Sequence, residues 1–220
     1  MSEHLLSAIL FTPLLGVLVL LFIPGRMKNA IRWWANISAV AGFLVSLPLI
    51  LNFNKSLDGY QFVERVNWIP ALGVQYLIGV DGISVLMVML TTSMGMLAIF
   101  SSWESINDKV KEYYAMFLLQ QVGMVGVFIS LDFMLFYVFW ELVLVPMYFI
   151  IGVWGGPRKL YAAIKFFLYT LAGGVLMLLG IITLYLQYLG QTGIATFEIA
   201  QLMNTQMPMW MTVTRMVYRL

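Results

Sequence analysis

The chain contains no cysteine in 220 residues. That excludes disulfides, cysteine-held iron–sulfur clusters and thiolate zinc sites within it. Its one histidine, His4, precedes the first apolar run and reads as a solvated terminal residue rather than a ligand. A haem held by two histidines is excluded as well, so no cofactor is expected here, and any associated electron transfer has its redox centres in other chains. Charge is also scarce. Only 10% of residues are charged, against roughly a quarter in a soluble domain. A net charge of +2 gives no reason to expect nucleic acid or an acidic partner. The sequence also lacks a glycine-rich phosphate loop after a strand, a nucleophile triad and a metal-ligand cluster.

What is present is apolar sequence, 62% of the chain. So few polar groups cannot cover a water-exposed surface, and the expected partner of most side chains is a lipid bilayer. Six runs, about 5–24, 34–53, 83–101, 113–130, 133–151 and 161–187, each approach or exceed the roughly 20 residues that cross a ~30 Å hydrocarbon core. The runs are continuous rather than alternating, which favours helices over a β-barrel. The expected fold is all-α, a polytopic transmembrane helix bundle that forms a single membrane domain over 1–220. The first run follows "MSEHLL", which has no positive n-region, and no small-residue cleavage site comes after it. It reads as a retained helix.

Orientation follows from the basic residues in the connections. Arg26, Lys28, Arg32, Lys109, Lys111, Arg158 and Lys159 fall on one side, and only Lys55 and Arg65 on the other. The first side is expected to be cytoplasmic, with the N-terminus outside. Trp33, Trp34, Trp103 and Trp154 lie near span ends, where interfacial anchoring accounts for them.

The 54–82 loop contains "YQFVERVNWI" and "GVQYLIGV", which predict a short external hairpin. Asp81 and Asp132 each precede a span and are expected to cap its free amides. Residues 194–220 carry apolar residues at helical spacing, interrupted by Arg215 and Arg219. Arginines deep in lipid are costly, so this tail reads as an interfacial amphipathic segment or the start of a further helix. The sixteen methionines have no charged or histidine company and read as packing residues.

Two full charges lie inside the apolar spans, Glu141 and Lys165. Glu141 is about ten residues from the inner end of its span, roughly 15 Å deep at 1.5 Å per residue. A carboxylate at that depth costs several kcal/mol unless it is paired, hydrated or protonated. Burial disfavours the charged form of a carboxylate and a nearby cation favours it, so a group placed there can be poised to take and release a proton. Tyr137 and Tyr148, at i−4 and i+7, share its helix face. Pro146 has no N–H to offer the carbonyl of Leu142, which leaves a backbone acceptor beside Glu141. The alternative is a structural glutamate bonded to a neighbouring helix. Lys165 shares a face with Tyr161 and Tyr169; it either extends to the interface or turns inward toward the fifth span. Gly173, Gly174 and Gly180 permit close helix contact on the sixth span. Gln120 and Gln121 either line a wetted path or pack between helices.

"GVDGISVLMVMLTT" (79–92), "SLDFMLFYVFWELVLVPMYFIIGVWGG" (130–156) and "KFFLYTLAGGVLML" (165–178) closely resemble the antiporter-like membrane subunits of respiratory complex I, the subunit M or chain 4 group, and are similar to subunits of the multisubunit cation/proton antiporters. The resemblance runs from the first span to about residue 203 and implies proton translocation driven by NADH oxidation and quinone reduction elsewhere in the assembly, with other membrane subunits as partners and a bacterial inner membrane as the expected location. By similarity, Glu141 matches the buried glutamate of helix 5 and Lys165 a basic position of helix 6. Members of the group are about twice as long and carry a lysine on a seventh helix, the expected partner of the glutamate; this sequence is expected to correspond to their N-terminal half. A sodium/proton antiporter component and a structural scaffold are the competing readings.

Overall fold

The computed structural model describes residues 4–57 and 59–206. Six long helices follow one another: α1 (Leu5–Phe22), α2 (Lys28–Asn52), α3 (Gly82–Ser101), α4 (Val110–Ile129), α5 (Phe133–Trp154) and α6 (Lys159–Thr192). All six are long and apolar enough to cross a membrane. Each expected span is present, but most helices extend past the apolar run. α2 starts six residues earlier than its hydrophobic stretch and α6 reaches 34 residues. The reason is that helical backbone satisfies its own polar groups and so continues through the interface, where Arg32, Trp33 and Trp154 still suit it. Pro13, Pro48 and Pro146 all lie inside helices that continue past them.

The expected hairpin is formed by β1 (Gln61–Ile69) and β2 (Val74–Val80), which pair antiparallel, with Arg65 opposite Leu77 and Val66 opposite Tyr76. Gly73 closes the turn with φ of 71°. A side chain there would be strained in that conformation and would also overlap the carbonyl of Ala195. The 130–132 connection extends this small platform. Leu131 N–H donates to Leu77 O at 2.9 Å, and Leu131 O accepts from Ile199 N at 2.9 Å.

α4 is the centre of the bundle and packs on α1, α2, α3 and α5, whereas α6 packs chiefly on α5. Gly123 and Gly126 let Val143 and Phe139 of α5 sit directly on the α4 backbone. Two larger apolar cores form beside a small cluster around Val74, Ile181 and Phe197. One, around Leu6, Ile9, Ile78, Val85 and Val125, lies against the hairpin. The other, around Leu20, Ile31, Tyr114 and Leu118, lies at the opposite end.

The basic connections meet at that opposite end. Lys28 Nζ donates to Asn107 O at 2.6 Å, Arg32 to Ile106 O at 2.8 Å, and Lys111 Nζ to Leu21 O at 2.8 Å. Trp154 Nε1 donates to Asp108 O at 2.9 Å. Trp34 differs from the interfacial role expected of it: its indole N–H donates to Gly16 O at 3.1 Å and ties α2 to α1.

Both capping aspartates cap. Asp81 Oδ1 accepts from Ser84 N at 2.7 Å and from Ile83 N at 3.1 Å. Asp132 Oδ1 accepts from Met134 N and Leu135 N at 2.9 and 3.1 Å, and its Oδ2 accepts from Gln75 N of the hairpin at 3.1 Å. The tail, as far as residue 206, turns back onto the hairpin side. Phe197 stacks on Tyr185 of α6, α7 (Ile199–Leu202) is one short turn, and Glu198 pairs with Arg65 at 2.9 Å. The rest of the expected amphipathic segment, with Arg215 and Arg219, lies outside the described residues.

Candidate functional site

α5 and α6 run antiparallel in a register set by small residues on one side and aromatic ones on the other. Gly152 faces Ala163, Tyr148 packs edge-on against Phe167 with centroids 5.4 Å apart, and Glu141 faces Gly174. Each step along α5 is matched by an equal step back along α6. Only Ala163, Gly174 and Ile181 of α6 are fully buried, and they form one stripe along that seam.

Glu141 therefore points from α5 at a position where α6 has no side chain. A methyl group on Gly174 would overlap its Oε1. That oxygen is buried and has no hydrogen-bond partner among the described residues. Tyr137, one turn earlier, lies beside the carboxylate and its ring joins a cluster with Met177, Ile181 and Phe197. Tyr148 keeps its ring in the same seam, and Pro146 is buried one turn beyond Glu141. The carboxylate and the two tyrosines expected on one face are thus brought to the α5–α6 contact, whereas Pro146, seven residues after Phe139, falls on the face of α5 turned to α4.

Lys165 is not. It stands nine residues before Gly174, roughly two and a half turns at 3.6 residues per turn, and so occupies the opposite face of α6. Its side chain is exposed, with Nζ 5.8 Å from the ring centroid of Tyr161. Of the two readings open in the sequence, the inward one is excluded within this chain: the ammonium does not meet Glu141. Tyr169 is 84% exposed and belongs to the same outward face. Gly173 and Gly180, expected to mediate close helix contact, instead border open space, and only Gly174 is used.

The two glutamines diverge. Gln120 Nε2 donates to Met147 Sδ of α5 at 3.6 Å. Gln121 points the other way and is fully buried against Gly95 of α3 and near Gly42 of α2, with neither amide atom hydrogen-bonded among the described residues. Neither residue reaches the Glu141 carboxylate as a hydrogen-bond partner.

A second polar cluster escaped the sequence reading. Glu64 of β1 is only 7% exposed. Its Oε1 accepts from Ser7 N at 3.1 Å and its Oε2 from Ser7 Oγ at 2.5 Å, while Ser7 Oγ lies 2.9 Å from Tyr76 Oη. His4 Nδ1 is 3.6 Å from Glu64 Oε2, with the ring otherwise exposed. Strand alternation alone does not mark Glu64 as inward-facing, because a bulge interrupts β1 between Gln61 and Glu64. The cluster pins the hairpin to the first turn of α1. Burial pushes the Tyr76 phenol above its ordinary range.

Residues 130–218, from the α4–α5 connection onward, match the family described as NADH:quinone oxidoreductase/Mrp antiporter, TM. Over 219 residues the chain is 44% identical to NADH-quinone oxidoreductase subunit M of Rhodobacter capsulatus, covering 96% of this chain and 42% of that protein. It is 42% identical to NADH-ubiquinone oxidoreductase chain 4 of Arabidopsis thaliana, covering 88% of this chain and 39% of that one. A chain of respiratory complex I from Thermus thermophilus shares the fold, with a TM-score of 0.75 at 23% identity over 94% of this chain and 40% of the other. The chain thus spans about two fifths of the length of the relatives it matches. The glutamate-bearing α5 and the glycine-bearing α6 lie inside the matched segment, and on these likenesses the chain belongs to the NADH:quinone oxidoreductase/Mrp antiporter family of transmembrane subunits.

Proposed function

We propose that this chain forms part of a proton-translocating membrane subunit of an NADH:quinone oxidoreductase assembly, with Glu141 as the group that takes and releases the proton. The observation that carries the reading is the placement of Glu141 Oε1, buried against Gly174 without a polar partner among the described residues. A buried carboxylate is a costly feature in a membrane span. A glutamine would serve a purely structural contact at much lower cost.

In this reading the chain does no redox chemistry and holds no cofactor. NADH oxidation and quinone reduction belong to partner subunits, and the assembly lies in a bacterial inner membrane with the basic connections facing the cytoplasm. Because Lys165 faces away, the cation that tunes Glu141 is a basic group outside the described residues, consistent with the expected lysine of a seventh helix. Tyr137 is the neighbouring hydroxyl to which the carboxylate can pass or share a proton. Pro146 leaves the backbone acceptor beside it free to hold water.

The family description also covers Mrp antiporters, so a sodium/proton antiporter component is the second reading. Membrane vesicles that hold the assembled complex separate the two. Glu141→Gln is expected to abolish proton uptake driven by NADH, with no dependence on sodium. Full proton uptake in that variant overturns the proposed role; uptake that follows a sodium gradient without NADH favours the antiporter; loss of assembly alone favours a scaffold.

A further inference from the structure

At the basic end of the bundle, a groove of about 850 Å³ opens between α2 and the end of α3. One wall is a stripe of α2 that runs from Trp33 through Ile37 to Leu44, and the other is Phe100 with the turn that follows it. The stripe spans eleven residue steps, roughly 16 Å at 1.5 Å per residue. That matches one leaflet, half of a ~30 Å hydrocarbon core. A neighbouring transmembrane helix would need a groove about twice as long.

The chemistry of the groove changes at its mouth. Its depth is aliphatic and aromatic. At the mouth Trp33 and Trp103 meet edge-on with centroids 5.2 Å apart, the arrangement suited to the headgroup level of a bilayer. Glu104 stands in the rim and is exposed, and among the described residues it forms no ion pair. The Arg32 guanidinium lies 5.9 Å from the Trp103 ring centroid on the same rim. Arg32 and Lys28 donate to neutral acceptors only, so their positive charge is not neutralised by an acidic side chain among the described residues.

We propose that this groove binds a zwitterionic phospholipid of the ethanolamine type. An acyl chain fills the stripe down to Leu44, the phosphate lies toward Arg32 and Lys28, and the primary ammonium donates to the Glu104 carboxylate. A lipid with an anionic headgroup would set a second negative charge beside Glu104. A choline headgroup has no N–H to donate to it. The site is separate from the α5–α6 seam and stands whether or not Glu141 carries protons.

The test uses the full-length protein in phosphatidylcholine nanodiscs that contain a small fraction of phosphatidylethanolamine with brominated acyl chains, which quench nearby tryptophan. The expected result is quenching in excess of that from the same fraction of brominated phosphatidylcholine. The headgroup preference should be roughly two- to fivefold, the range an exposed ion pair gives. Glu104→Gln should bring the preference down to one, and Ala41→Phe, which fills the groove wall, should remove the excess quenching. Should Ala41→Phe fail to fold, Glu104→Gln at the exposed rim carries the test alone. Equal quenching by the two lipids in the unmodified protein overturns the proposal. So does stronger quenching by brominated phosphatidylglycerol, or a preference unchanged in Glu104→Gln. A photocrosslink from position 37 to another protein rather than to lipid overturns it as well.

Discussion

Glu141 of α5 and Gly174 of α6 occupy the same place in the helix seam, the carboxyl group of one filling the space that a side chain on the other would need. The pairing is specific to that turn of α6. Gly173, the preceding residue, borders open space.

The adjacent glycines give an internal control. Gly174→Ala should displace the carboxylate or part the helices, at a cost of about 1–3 kcal/mol, as overpacking does. Gly173→Ala meets nothing and should be neutral or stabilising by up to about 1 kcal/mol, the helix-propensity gain. Unfolding in mixed detergent micelles measures both. Equal effects of the two substitutions would show that Gly174 is not in contact with Glu141.

Lys165 and Glu141 should be energetically independent. With Lys165 on the opposite face of α6, a double-mutant cycle of Lys165→Met and Glu141→Gln should give a coupling below about 0.5 kcal/mol, the additivity expected of residues that do not touch. A coupling of 1 kcal/mol or more would place the ammonium beside the carboxylate.

The two capping aspartates should respond to pH with opposite sign. Hydrogen bonds from Ser84, followed by Ile83, outweigh partial burial and hold Asp81 below the usual carboxylate range. Its contribution is therefore present above the unfolded value of about 3.9 and is lost as pH falls through the lowered folded value. Burial outweighs the hydrogen bonds from Leu135, Gln75 and Met134 and pushes Asp132 up. Its contribution is present below about 3.9 and is lost as pH rises through the raised folded value. Relative to Asp81→Asn, the unmodified protein should lose stability in acid. Relative to Asp132→Asn, it should lose stability as pH rises from acid toward neutral. Stability measured against pH for the two variants checks both signs.

Glu64 should hold the hairpin to α1. Glu64→Ala leaves Ser7 N–H without its acceptor and should destabilise the protein by about 1–3 kcal/mol, the cost of unmaking buried hydrogen bonds to a charged group. Amide exchange in β1 and in the first turn of α1 should quicken together. Faster exchange in β1 alone would mean that the cluster does not join the two.

How much of this was legible in the residues depended on range. The six spans, the hairpin and both caps are local signals: continuous apolar runs, β-branched and aromatic stretches, and an aspartate before a helix. Glu141 stood out because a charge in an apolar run is rare. Its partner did not, because three glycines on α6 read alike until the α5–α6 register selected Gly174. The side taken by Lys165 was equally hidden, since helix phase places it opposite Gly174 only once Gly174 is known to face α5. Glu64 was missed because a β-bulge shifts the strand alternation, and the opposite directions of Gln120 and Gln121 depended on which helices flank α4.

The central claim is that the Glu141 carboxyl group exchanges its proton during turnover. Infrared difference spectroscopy of the assembled complex, triggered by NADH, follows the carbonyl stretch of protonated carboxylic acids directly. A carbonyl band that changes on turnover in the unmodified protein, shifts in deuterium oxide and is lost in Glu141→Gln is the predicted result. A difference spectrum in the carboxylic acid region that is the same in the unmodified protein and in Glu141→Gln would contradict the account.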